Sequence, residues 1–538
     1  MKNLYSIFAG LLISVNVFAQ WSLTGNAGTT NSNFLGTTDN MPLTLKVNNL
    51  QAGFTGYSGN NNVSFGYLSL TNVLAGNGNT AIGAQALQQN VSAYGNVAAG
   101  TWALEQCRTG IYNVALGCGA MYNTQNAGNH NVAVGQKALS NNTASENTAV
   151  GSEAALNNTN GRGLTAVGFK ALNMNTTGEF NTAIGYQALL LNNTGYWNVA
   201  LGSGSLQNNT TGFRNTAGGN SSLHFNLTGY DNVAFGEQSL GGNIDGNWNT
   251  AVGCRSLWSV NQTSSGDVGF GHGHSNTAIG YEAMREITTG SSNVAVGRHA
   301  MRVNSTGNNT VAVGSYSLTD NTTGDSNTAL GSLALRFNTT GSNNTASGRG
   351  SLFTNTTGSR NTAYGYEALG SNTTGNDNIA IGHHALMNNT TPGGNLAIGS
   401  SALASNTTGT GNVATGYQAL MSNKNGGENT ATGYQALMNM DDTWWNTAYG
   451  YKALYAHLYG SVNTAVGAYA LYSDSYSSLN TAVGANSLFS NINGESNTAT
   501  GAYSLEKNIS GHGNTAIGES ALAYNTTGGS NTATGNHR

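Results

Sequence analysis

Few side chains in this sequence could do chemistry, and those that could are scattered. His272-Gly273-His274 lies close to Asp267, and His383-His384 forms a second pair. Imidazole and carboxylate are ligand types for a borderline metal ion. Neither pair recurs at ligand spacing, so both read as polar surface, and no metal is expected. Serine and histidine occur without a G-x-S-x-G turn in an α/β setting. No glycine-rich triplet leads into G-K-[ST], so a phosphate loop is unsupported. The calcium-binding nonapeptide G-G-x-G-x-D is missing. Acidic residues fill variable positions, with no recurring carboxylate pair. No catalytic residue and no cofactor are expected. Cys107, Cys118 and Cys254 are too few and too odd for a disulfide framework. Cys107 and Cys118 could pair if neighbouring turns bring them close, but the three read better as small buried or half-buried residues.

Composition narrows the elements that position these groups. Glycine supplies 76 of 538 residues, proline 2, and charged residues 7%. Ordinary soluble domains carry roughly 25% charged residues. With 18 Lys+Arg against 22 Asp+Glu, net −4, the chain lacks the basic excess of a nucleic-acid binder. It also lacks the charge and proline of most disordered chains, and 38% is hydrophobic. A backbone-dominated structure with small side chains follows.

Residues 1–19 read as an export signal. Lys2 precedes an apolar run from Leu4 to Phe18, and Val17-Phe18-Ala19 puts small residues where cleavage after Ala19 requires them. The run is shorter than a membrane span, and no later stretch is long enough to cross a membrane as a helix.

A repeat dominates the rest. The pattern N-[TV]-A-x-G recurs 28 times from Asn62 to Asn531, almost always at a spacing of 17. Asn249 and Asn276 are 27 apart, and the extra residues near 260–275 read as a bulging loop rather than a domain break. The unit is N-[TV]-A-[VILT]-G-x-x-[AS]-L-x-x-N-x-T-G-x-x, with positions counted here from its first asparagine. Glycine fills the fifth position in all copies, and alanine the third in all but the first, which has Ser64. Such recurrence within one chain reports a geometric requirement.

The unit is too short for two helices, and glycine and asparagine break any helical stripe. Its first half reads as a short strand, with the second and fourth positions on the inward side and alanine opposite. The fifth-position glycine permits a bend, the ninth-position leucine points inward, and positions twelve to fifteen form a turn. One unit cannot bury its apolar face, so the coils stack. An all-β parallel solenoid or roll of about 28 coils is expected, roughly 130 Å long at the usual strand spacing. The twelfth-position asparagines, Asn175, Asn192, Asn209, Asn226 and Asn243, either form a side-chain amide ladder or serve only the turn. Residues 20–61 read as an N-terminal cap and 62–538 as the solenoid.

Aromatic residues at the last two positions are the candidate surface. Phe180, Trp197, Phe213, Tyr230 and Trp248 would fall in one rough column. Such a column suits sugar faces or protein contacts, or it packs against the next coil or chain.

The core Asn181-Thr182-Ala183-Ile184-Gly185-Tyr186-Gln187-Ala188-Leu189 resembles the head repeats of YadA-like trimeric autotransporter adhesins. The resemblance covers roughly 62–538 and implies a left-handed parallel β-roll, homotrimeric assembly, and a secreted or bacterial cell-surface location. It further implies a host-surface, matrix or carbohydrate ligand. The longer 17-residue period and the T-T-G turn depart from the usual head unit. Trp21-Ser22-Leu23-Thr24-Gly25-Asn26 and Asn33-Phe34-Leu35-Gly36 resemble the N-terminal segment of secreted tail-fibre-like proteins of Bacteroidetes. The sequence stops eight residues into its last unit, which reads as a truncation or as a downstream part encoded elsewhere. The near-invariant alanine implies a close, dry contact, either with a neighbouring chain or with the far wall of its own coil, the second and fourth positions then facing outward. A structural or adhesive fibre without catalysis is expected. The alternatives are an ice-binding solenoid, because Thr80, Thr148 and Thr182 share the second position, and a phage-type tail fibre.

Overall fold

The computed structural model describes residues 30, 34–57, 60–125, 128–258 and 273–536, which leaves the signal region 1–19 outside it. Strands β1 (Leu43–Val47) and β2 (Leu50–Tyr57) form an antiparallel hairpin, and β2 pairs antiparallel with β3 (Asn60–Phe65). From β3 onward every pairing among the described residues is parallel and joins one repeat to the next, down to the strand Thr532–Thr534. Each of the 28 copies contributes one strand. The register repeats by one unit: Thr182 faces Val199, Ala183 faces Ala200 and Ile184 faces Leu201. The fold is a β-solenoid with the 17-residue period. The long spacing does not break it, because Thr250 pairs directly with Thr277; the insertion itself, residues 259–272, lies outside the described residues.

The strand faces the opposite way from the sequence expectation. Ala183 and its equivalents as far as Ala516 are fully buried inside the coil, whereas Thr182 is half-buried and Ile184 exposed. The second and fourth positions therefore point outward. The coil is narrow, and the ninth-position leucine of the facing turn already fills its centre: Leu87, Leu189 and Leu420 have no exposure. Opposite such a leucine a strand residue has room for a methyl group and little more. The alanine contact is thus made within one chain.

Bends follow from backbone conformation. Gly382 has φ of 136°, and a Cβ there would stand 2.5 Å from the carbonyl oxygen of Gly399 in the next coil. Leucine at the ninth position also adopts left-handed φ, 51° at Leu189 and 52° at Leu420. That conformation costs an L-residue roughly 1–2 kcal/mol. It persists because both neighbours hold it: the Leu189 N–H donates to Ser205 O at 3.0 Å, and Gln187 N–H donates to Phe169 O at 2.9 Å on the other side.

The remaining interior is polar. The twelfth-position asparagines do form an amide ladder: Asn192 Nδ2 donates to Asn175 Oδ1 at 2.7 Å, and Asn209 and Asn226 continue it at 2.7 Å each. Each also serves its turn, as Asn192 Nδ2 donates to Gly195 O at 2.9 Å. A second column runs through the first-position asparagines. The Asn198 N–H donates to Asn181 Oδ1 at 2.9 Å, and Asn198 Nδ2 to Gly212 O at 2.8 Å. Both columns are buried except at Asn525 and Asn531 in the last turns, so their amides depend on partners within the solenoid. The turn threonine tightens the stack further, with Thr210 Oγ1 donating to Leu227 O at 2.8 Å.

Candidate interaction surface

Three surface features follow from this geometry. The first is the outward sheet face. None of the 28 copies has a charged residue at the second or fourth position, although both face out. The fourth position is mostly apolar and half open, as in Ile184 at 42%, Leu201 at 40% and Ile381 at 39% exposure. The second position is threonine in seven consecutive coils, from Thr430 to Thr532.

The second feature is aromatic stacking at coil-to-coil distance. Phe213 and Tyr230 stack at 4.8 Å with 2° between planes, and Trp248 meets Tyr230 edge-on at 5.3 Å. Tyr196, which the sequence reading passed over, extends the stack to Phe213 at 4.9 Å and touches Trp197 edge-on at 5.2 Å. Phe180 lies apart, under Arg162 at 5.3 Å. The split follows position: the stacked rings occupy the sixteenth place, whereas Phe180, Trp197 and Trp248 occupy the seventeenth, where φ is 54°, 55° and 58°. Parallel rings at this spacing cover one another's faces. Inner rings such as Phe213 therefore offer only edges to a ligand; at the ends, Trp197 carries Arg214 over its ring at 5.1 Å, and Trp248 is 53% exposed. Further stacks occur at Tyr417–Tyr434–Tyr451 and at Tyr455–Tyr472–Phe489. Tyrosine recurring every 17 residues was the sequence signal for them.

The third feature is substitution within the amide ladder. His457 and Asp474 replace asparagine in adjacent coils and meet at 2.7 Å, both fully buried. His457 Nε2 faces Gly460 O at 2.8 Å, so both ring nitrogens face oxygen atoms. Asp474 Oδ1 accepts from the Ser477 hydroxyl and from Asn491 Nδ2 at 3.1 Å. Sealed from solvent, the cluster is structural.

Among the described residues no group of three or more His, Cys, Asp or Glu could hold a metal ion. Asp267 and His272 lie outside them; His383 stacks on Tyr366 at 5.3 Å. The cysteines are free, with Cys107 buried and Cys118 exposed. No helix among the described residues is long and apolar enough to cross a membrane. The chain matches no protein-family model and no curated protein.

Proposed function

We propose that this chain is a secreted fibre of the bacterial cell surface, structural and adhesive rather than catalytic, assembling as a homotrimer through its outward sheet face. The observation that carries the reading is the charge-free column of half-exposed apolar side chains, such as Ile184, Leu201 and Ile381, repeated coil after coil. Soluble monomers rarely expose apolar patches of such extent. A column roughly 130 Å long and about 10 Å wide offers about 1,300 Å² per chain, above the roughly 800 Å² of a standard interface. A second copy presents apolar groups at the same coil spacing, and closed symmetry covers every copy equally. The export signal read in residues 1–19 and the resemblance to YadA-like heads support the same assignment. The buried alanines contribute nothing to it, because Ala183 and Ala380 are covered by their own coils.

Sedimentation of the mature protein tests the assembly. A trimer is expected, and Ile381→Glu with Ile398→Glu should release monomers whose β-structure is unchanged. A wild-type chain that stays monomeric at micromolar concentration overturns the trimer. Binding to host cells, matrix proteins and glycan arrays tests the adhesive role.

One observation favours a second reading. The seven consecutive outward threonines from Thr430 to Thr532 lie in register on a parallel sheet, a regular array of the kind an ice-binding face needs. Thermal hysteresis in the purified protein would support that reading, and its absence would remove it.

A further inference from the structure

The corner formed by positions six to eleven carries a charge pattern that trimerisation does not use. Six of the chain's eleven arginines fall there within six coils: Arg255, Arg285, Arg298, Arg302, Arg336 and Arg349. The same corner of these coils holds three acids, Glu282, Glu286 and Asp320, in a chain whose net charge is −4. Glu282 is buried and already ringed by Arg285 at 3.4 Å, His299 at 3.4 Å and Arg302 at 3.6 Å. Arg298, Arg336 and Arg349 have no carboxylate at ion-pair distance among the described residues.

Aromatic rings hold these three in place. Arg298 and Arg336 both lie over Tyr316 at 5.4 Å, and Arg336 also lies 5.9 Å from Phe353. Arg349 lies over Tyr366 at 5.5 Å and donates to its hydroxyl at 3.0 Å. A guanidinium resting on a ring keeps N–H groups free for a bidentate anion. Beside them opens a cavity of about 320 Å³ floored by Leu333, Phe353 and Met387, with Arg349 and Glu367 among its walls. Gly350 and Gly370 make the room, at positions where other copies carry side chains.

We propose that this corner binds a linear acidic polysaccharide. Carboxylates along the polymer pair with Arg298, Arg336 and Arg349, which recur at multiples of the coil spacing as charges recur along a repeating sugar. One sugar ring enters the cavity, its apolar face against Phe353 and its hydroxyls donating to Glu367. A nucleic acid fits worse. It has few hydroxyls to offer Glu367 and Glu286, and the chain lacks the overall basicity that drives backbone binding. The proposal deepens the adhesive reading and rests on it in one respect, that this surface faces the cell exterior.

The test is retention of the full chain on immobilised polygalacturonate at low salt, with single-stranded DNA as the comparator. The variant R298Q/R336Q/R349Q should weaken binding at least about tenfold, while R162Q/R214Q, at the sixteenth and seventeenth positions, where Arg162 pairs with Glu179 and Arg214 lies over Trp197, should change it less than about twofold. The R349Q single variant, at a sixth position where other copies carry Tyr186, Ser203 or Glu237, guards against a folding defect and should weaken binding on its own. Absence of wild-type retention, equal losses in both arginine sets, or tighter binding to DNA overturns the proposal. Electron microscopy of the same sample separates the two readings. A rod that is not retained removes only the polysaccharide, whereas a chain that forms no rod removes the fibre.

Discussion

Cys107 occupies the amide column next to Asn90, and the Asn90 Oδ1 is left buried without a hydrogen-bond donor. Elsewhere the next coil's asparagine supplies that donor, as Asn192 does for Asn175 at 2.7 Å. A thiol is too short and too weak a donor, and Cys107 Sγ turns to Gly110 O at 3.9 Å instead. Met440 leaves Asn423 Oδ1 in the same state. A buried polar atom without a partner costs about 1–3 kcal/mol. Cys107→Asn should therefore raise the melting temperature, by an amount corresponding to about 1 kcal/mol. Calorimetry showing no gain would mean that the column contributes little. Burial also pushes the Cys107 thiol up to about 11. At pH 8 a maleimide should label exposed Cys118 and spare Cys107 until the chain is unfolded, as mass spectrometry would read.

The His457–Asp474 pair predicts a non-additive cycle. Asp474→Asn leaves the imidazole facing an amide in a sealed site, where losing one partner of a buried pair costs about 3–5 kcal/mol. The double variant His457→Asn with Asp474→Asn restores the ladder from Asn491 inward. It should recover most of that loss in chemical denaturation. A double variant as unstable as the single one would count against the ladder's independence from context.

Gly185 has φ of 144°, and the Gly202 carbonyl of the next coil fills the space a Cβ would need. Gly185→Val should destabilise by about 3 kcal/mol or more, since both the backbone region and the clash oppose it. An unchanged melting curve would show that the coils can part there without cost.

Histidine 299 gives a pH signature. Burial holds its pKa below the ordinary 6.5; Glu282 pulls the other way, and Arg298, Arg302 and Arg285 add to the lowering. A base depressed in the fold takes up its proton more readily when unfolded. Stability from this residue is therefore complete above about 6.5 and declines as pH falls below that value, until the folded pKa is passed. His299→Gln should flatten the stability profile in that acidic window and leave it unchanged at pH 8. A variant with the same acidic slope would place the titration elsewhere.

The period, the strand, the bending glycine and the inward leucine were all legible in the sequence, because every coil meets the same constraints. A requirement met 28 times leaves a column of identical letters, as Gly185 and Leu189 and their equivalents do. Left-handed φ at leucine left no such mark, since no residue type announces it. The alternation of Thr182, Ala183 and Ile184 could not say which side faces in. A strand of period two reads the same from either face, and only the width of the closed coil, already filled by Leu189, decides that the methyl group goes inside. The Arg298–Tyr316–Arg336 contact was likewise invisible in the chain order. It joins positions six, seven and ten of three different coils, and stacking alone brings their side chains to one corner.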